Sequence, residues 1–239
     1  YFTSGSTGEP KAILGKHSSL SHFIDWQINE FALSSANKFA QFTSFVFDAF
    51  LRDVLTPLCT GATVCIPPEE AYKDNNMLID WILHEEITAI HCVRSCLRRM
   101  ILSPLESSNK GLIQTVQYIF SSGEHLLGND VVRWSSKSAI KTEFINFYGP
   151  SETTMIKSFY RVTKLPDNLH KPLPVGKGIA NTFIAILNND QGLCNIGEIG
   201  EIYIRTPYMS KGYYCDAEST RKVFVPNPFM AESDEMIYK

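Results

Sequence analysis

The chain has 239 residues, 44% hydrophobic and 20% charged, with a formal net charge of −3. This is a globular composition, with enough apolar residues for one large domain or two small ones. It lacks the basic excess of a nucleic-acid binder, and no apolar run approaches a membrane span, so neither partner is expected.

The first eleven residues, Tyr1-Phe-Thr-Ser-Gly-Ser-Thr-Gly-Glu-Pro-Lys11, alternate hydroxyls with glycines and end on a lysine. Glycines let backbone N–H groups turn toward an anion, while Thr3, Ser4, Ser6 and Thr7 add hydroxyl donors and Lys11 a charge. The spacing differs from the Walker loop, because only two residues separate Gly5 from Gly8 and Glu9-Pro10 precede the lysine. Taken alone, the stretch fits either a phosphate cradle or a flexible turn.

Downstream, short β-branched and aromatic runs alternate with helical patterns. Periodicity predicts helices over 18–31, 48–59, 77–85, 95–102 and 130–136, and strands over 41–45, 62–66, 89–92, 116–120, 143–147 and 199–204. Arg94, Arg98 and Arg99 read as a solvated helix face. After about Phe159 the helical signal fades, and 175–205 carries Gly, Asn and short strands, with turns at 164–168 and 226–228. The expected fold class is α/β: wound, largely parallel sheets with flanking helices over 1–160, then a more antiparallel β-rich part over 161–239. Six cysteines show no Cys-x-x-Cys pair, so buried reduced thiols and a cytoplasmic location are expected. No charged-then-apolar leader is present, and both ends read as cut rather than finished.

Two further segments carry chemistry. Asn146-Phe-Tyr-Gly-Pro-Ser-Glu-Thr-Thr154 follows a predicted strand, and ligands bind at the carboxyl ends of strands in open α/β sheets. Tyr148 offers a flat face for a base. Gly149-Pro150 bends the chain so that Glu152, Thr153 and Thr154 can face phosphates and a magnesium ion. The alternative is a Pro-Ser turn with a helix-capping glutamate. Asp48, at a predicted helix start, is either a cap or a buried anion awaiting a cation.

Together, in this order, the 3–11 loop and the 146–154 motif resemble the adenylate-forming superfamily of acyl-CoA ligases, luciferases and nonribosomal peptide synthetase adenylation domains. Ala12 stands where that family usually carries glycine. Gly197-Glu-Ile-Gly-Glu-Ile-Tyr-Ile204 with Gly212-Tyr-Tyr214 resembles a structural motif of the same family. The resemblance implies that Lys11, with Thr3, Ser4, Gly5, Ser6, Thr7 and Gly8, holds the β- and γ-phosphates of ATP. Tyr148 would stack on adenine, with Asn146 and Gly149 beside it and Gly123 and Glu124 on the other side of the slot. Glu152 would hold Mg2+ and Thr153 the α-phosphate.

In amino-acid-activating members an aspartate at the place of Asp48 anchors the substrate amine, and the Asp48-Ala49 pair with Leu58-Cys-Thr-Gly-Ala62 favours a peptide-synthetase adenylation domain. The pocket carried over by motif is Asp48, Ala49, Arg52, Ser95, Phe120, Ser122, Phe147, Met155 and Ile156. Arg52, four residues after Asp48 on one helix, would either meet an acidic substrate side chain or pair with Asp53 or Asp48 and shape the pocket. The implied activity is ATP-dependent formation of an aminoacyl-adenylate with release of pyrophosphate. Loading of a phosphopantetheine carrier would follow, with carrier and condensation domains of the same synthetase as partners. The alternatives are a CoA-ligase-type activation of another carboxylic acid and an inactive nucleotide-binding segment. A ribose-binding aspartate, a hinge and a small C-terminal domain with its lysine are expected beyond Lys239, and a long stretch before Tyr1. The isolated segment is therefore expected to be inactive.

Overall fold

The structure, a computed structural model, describes residues 1–4, 10–103, 112–230 and 234–239. Its centre is a seven-stranded sheet in the order β4-β3-β5-β6-β7-β8-β9. Five strands run parallel: β3 (Lys38–Ala40), β4 (Thr63–Cys65), β5 (Ala89–Cys92), β6 (Tyr118–Ser121) and β7 (Glu143–Tyr148). β8 (Ser158–Arg161) and β9 (Lys177–Gly178) extend it antiparallel. The large sheet thus continues past residue 160. A separate antiparallel sheet begins at β10 (Phe183–Leu187) and continues through β11 (Glu201–Arg205), β12 (Phe224–Pro226) and β13 (Met236–Tyr238).

Apolar side chains of the parallel strands face both ways, as a doubly covered sheet requires. On one side α1 (His17–Glu30) packs Phe23 and Trp26 against Phe31, Phe120, Phe147 and Phe159. On the other, α3 (Glu69–Lys73), α4 (Asn75–His84), α5 (Arg94–Leu102) and α6 (Gly128–Ser135) close a cluster containing Ala71, Leu78, Ile82, Leu97, Met100 and Trp134. Arg94 and Arg99 are not a solvated face. Arg94 Nε meets Asp130 Oδ2 at 2.6 Å, and Arg99 donates to Asn75 Oδ1 and the Ala71 carbonyl, so both fasten helices together. Among the described residues, no helix is long and apolar enough to cross a membrane. The cysteines are free, as expected, but Cys59 and Cys215 are exposed rather than buried.

One predicted strand is displaced. Residues 38–40 enter the sheet, whereas 41–45 leave it. The cause lies in α2 (Ala49–Thr60): the Thr43 N–H and hydroxyl both donate to Asp53 Oδ2, at 3.2 and 2.6 Å, and draw the backbone away. The strand order reverses between β3 and β5, so the chain after β3 and the chain after β5 diverge there and open a crevice.

Candidate active site

That crevice is a cavity of about 500 Å³. The segment from Phe42 to Arg52 lines one wall, Cys92, Val93, Ser122 and Gly123 another, and Gly149, Ser151, Met155 and Ile156 a third. Apolar surface dominates, with a few polar groups among it, the usual composition of a small-molecule site.

Asp48 precedes α2 but does not cap it, since its side chain accepts no hydrogen bond from the helix. Instead the carboxylate turns across the cavity: Oδ1 accepts from the Ser151 hydroxyl at 3.2 Å and Oδ2 from the Met155 N–H at 3.0 Å. The residue is 6% exposed. Both donors are neutral, and in a largely apolar cavity a carboxylate so held favours a ligand cation.

Beneath it runs a buried polar chain. Thr56 Oγ1 donates to Gln27 Oε1, and Gln27 Nε2 lies 2.6 Å from His91 Nε2, which places the imidazole proton on Nδ1. Nδ1 faces Asp53 Oδ1 at 3.3 Å, and the Arg52 Nε donates to the same oxygen at 3.2 Å. Burial, helped by the Arg52 charge, holds the His91 imidazole down to about 4, so it is neutral at pH 7. Burial works against ionisation of Asp53, but the His91 contact, the Arg52 charge and the Thr43 hydroxyl outweigh it and keep its carboxyl below the usual range. Arg52 also reaches Ser122 Oγ at 3.4 Å.

The other side of the site joins the two ends of the chain to the 146–154 loop. β1 (Phe2–Ser4) and β2 (Pro10–Ala12) form a hairpin. The chain just beyond β2 pairs with 211–214 through Leu14 N to the Gly212 carbonyl and Tyr214 N to the Ala12 carbonyl. This brings Tyr213 between two motifs. Its hydroxyl donates to Glu152 Oε1 at 2.5 Å, while Lys11 Nζ lies 4.9 Å from its ring centre. Burial and the Glu152 bond both push the Tyr213 phenol up, so it stays protonated. Lys11 also donates to Ser219 Oγ at 3.0 Å. Tyr1, whose phenol burial pushes up to about 12, ties Ser151 and Thr154 from behind.

A family model described as AMP-binding enzyme matches residues 1–214. The chain belongs to the AMP-binding enzyme family. It is 32% identical over 237 residues to the L-2-aminoadipate reductase large subunit of Eremothecium gossypii, covering 96% of this chain and 17% of that one. It is also 32% identical over 238 residues to tyrocidine synthase 2 of Brevibacillus parabrevis, covering 100% and 6%. Among solved structures, the nonribosomal peptide synthetase FmoA3 in its alpha-methyl-L-serine-AMP bound form superposes with a TM-score of 0.88 at 25% identity. That match covers 99% of this chain and 26% of that one. The chain therefore spans about a sixth or less of the length of these curated relatives.

Within this AMP-binding chain the predicted residues divide. Asp48, Ala49, Arg52, Ser122, Met155 and Ile156 line the cavity. Phe120 and Phe147 do not: their rings stack on each other, 5.2 Å between centres, inside the core against α1. Strand alternation turns them away from the cavity. Ser95 does not line it either, because its N–H and hydroxyl donate to the Glu124 carboxylate at the start of α5. Glu124 is thereby engaged at that helix, while Gly123 stays on the cavity wall at a φ of +80°. Asn146 donates to the Leu173 and Pro174 carbonyls and braces the adjoining loop. Thr153 is fully buried, with its hydroxyl on the Pro150 carbonyl. Tyr148 is half-buried, which raises its phenol. Gly149 has no room for a Cβ, which would meet the Met155 carbonyl oxygen at 2.1 Å. Thr3 lies in β1, opposite Lys11. Gly5, Ser6, Thr7 and Gly8, and the side chain of Ser4, lie outside the described residues.

Sequence reasoning missed His91 and Tyr213. A lone imidazole inside the apolar run Ala89-Ile-His-Cys92 was the available signal for the first. For Tyr213, read only as part of a structural motif, the contact with Glu152 depends on tertiary pairing.

Proposed function

We propose that this chain activates an amino acid: the substrate carboxylate attacks the α-phosphorus of ATP, an aminoacyl-adenylate forms and pyrophosphate leaves. One observation carries the reading. The Asp48 carboxylate declines its own helix and points into a largely apolar cavity, where it offers an anion to an ammonium. An acyl-CoA ligase for a plain carboxylic acid would have no use for that buried charge.

In this scheme Lys11 and the 3–8 loop hold the β- and γ-phosphates, Tyr148 stacks on adenine between Asn146, Gly149 and Gly123, and Thr153 serves the α-phosphate once its hydroxyl turns. Glu124 supports the slot through α5. Magnesium takes one or two carboxylates plus phosphate oxygens, and the buried Glu152 beside the Lys11 hairpin supplies one such carboxylate, so the residues suit an ion brought in on the nucleotide. The ion would neutralise charge on the leaving pyrophosphate; the protein's own part is positioning and electrostatics. The acyl group would then pass to phosphopantetheine on a carrier domain, with a condensation domain following, in a cytoplasmic enzyme.

Arg52, braced by Asp53 on the cavity wall, supports a substrate side chain that ends in an acceptor oxygen, a carboxylate or an amide. L-2-aminoadipate, named in the relatives, is of that kind. ATP–pyrophosphate exchange by the intact enzyme, screened over acidic, amide and apolar amino acids and their des-amino analogues, tests both statements. Amino-acid-dependent exchange led by acceptor-bearing side chains is expected. Exchange driven equally well by the des-amino acids would refute the amine anchor, and a preference for apolar side chains would refute the role of Arg52.

A further inference from the structure

Lys157 is a lysine with no exposed surface, and none of the roles above uses it. It directly follows Met155 and Ile156 of the third cavity wall. Its Nζ donates to the Thr154 carbonyl oxygen at 2.8 Å. The N–H of the very same peptide unit, that of Met155, donates to Asp48 Oδ2 at 3.0 Å. The C=O and N–H of a trans peptide point in opposite directions, so a single peptide plane lies between the ammonium and the carboxylate, and each end is polarised by a charge.

The backbone does not adopt this setting by preference. Thr154 and Met155 have φ of 65° and 59°, a region that disfavours side chains with a Cβ, and two such residues in succession persist only where their surroundings fix them. On one side the fixing groups are Asp48, Tyr1 on the Thr154 hydroxyl, and Gly149, whose missing Cβ leaves room for the Met155 carbonyl. On the other side stands Lys157, itself anchored in the sheet edge by its N–H to the Tyr148 carbonyl and by its carbonyl accepting from Ile179.

We propose that Lys157 is a positioning residue for the amine anchor: it clamps the Thr154–Met155 peptide so that the Met155 N–H holds the Asp48 carboxylate toward the substrate ammonium. This rests on the amino-acid-activating reading. Burial pushes the Lys157 ammonium down to about 7, against the pull of Asp48. Near neutral pH it therefore supplies the hydrogen bond while adding less positive charge beside an ammonium site than an ordinary lysine would.

The test is ATP–pyrophosphate exchange by the intact enzyme with its best amino acid, for wild type, Lys157→Met, Asp48→Asn and the double variant. Loss of the bond that clamps the Thr154–Met155 peptide is expected to raise KM for the amino acid about tenfold in Lys157→Met, with KM for ATP unchanged. In the Asp48→Asn background the same change is expected to add less than about twofold, since the carboxylate it positions is gone. An unchanged amino-acid KM, an equal rise in KM for ATP, or a full effect in the Asp48→Asn background would overturn the proposal. Should Lys157→Met fail to fold, Lys157→Ala, which removes the donor without filling the space, decides the matter: a raised amino-acid KM supports the clamp and a wild-type value overturns it. Wild-type enzyme without any amino-acid-dependent exchange would instead refute the underlying function.

Discussion

Replacing Asp53 with asparagine removes the charge at the centre of the buried network while keeping its shape. Asp53 is fully buried, receives Thr43 through two bonds and Arg52 Nε at 3.2 Å, and faces His91 Nδ1 at 3.3 Å. Without it the Arg52 guanidinium, only 2% exposed, stays in place with no anion, and breaking such a buried pair from one side costs about 3–5 kcal/mol. Arg52→Met removes the charge that Asp53 balances, so Asp53→Asn in that background loses chiefly the Thr43 bonds, about 1–2 kcal/mol. The two substitutions should therefore be strongly non-additive, with a coupling of about 2–3 kcal/mol. The Asp53 carboxyl sits below its ordinary range, so its contribution is present above the unfolded-state value of 3.8 and is lost only as pH falls below that, which makes pH 7 the right condition. Denaturant unfolding followed by the tryptophan fluorescence of Trp26, Trp81 and Trp134, all in the packed core, provides the assay. Equal costs for Asp53→Asn with Arg52 and with Met at that position would show that no charge pair is at stake.

Two further results are expected. Tyr213→Phe frees Glu152 Oε1 from the phenol that now occupies it, so the Mg2+ concentration giving half-maximal exchange should fall by a few fold; an unchanged Mg2+ dependence would show that the carboxylate does not meet the ion. For Lys157, the folded-state value of about 7 lies below the 10.5 of an exposed lysine, so between those values the unfolded chain holds a proton the folded chain has lost. Stability relative to Lys157→Met should thus rise with pH from 7.5 to 9, by up to about 1.4 kcal/mol per unit, and a flat difference would contradict the burial of the ammonium. His22, facing Lys157 from α1, is itself lowered from 6.5 by burial and titrates below that window.

The strands at 89–92 and 143–147 were legible because each is a short apolar run between helical patterns, and the 143–147 strand directly precedes the Gly149-Pro150 bend. The 41–45 strand was not, since what removes it from the sheet is a carboxylate ten residues away, Asp53, bonding Thr43. The same holds for the pocket. Asp48 and Arg52 could be placed on one side because helical spacing fixes them, whereas Ser95 lies beyond Cys92 and Val93, which line the cavity at that strand end, and is held by Glu124. Phe120 and Phe147 were read by motif, yet their facing is decided by strand alternation and by the aromatic cluster around Phe31. Nothing in the sequence around Lys157 marks a partner for it; only the left-handed turn at 154–155 supplies one.

The proposed role of Asp48 is to hold a substrate amine. Its most direct test is ATP–pyrophosphate exchange by the intact enzyme carrying Asp48→Ala, run with the preferred amino acid and with its des-amino analogue. Loss of an unshielded ion pair should lower kcat/KM for the amino acid by at least about a hundredfold while leaving the des-amino acid no worse than before. An Asp48→Ala enzyme that activates the amino acid as well as wild type would contradict it.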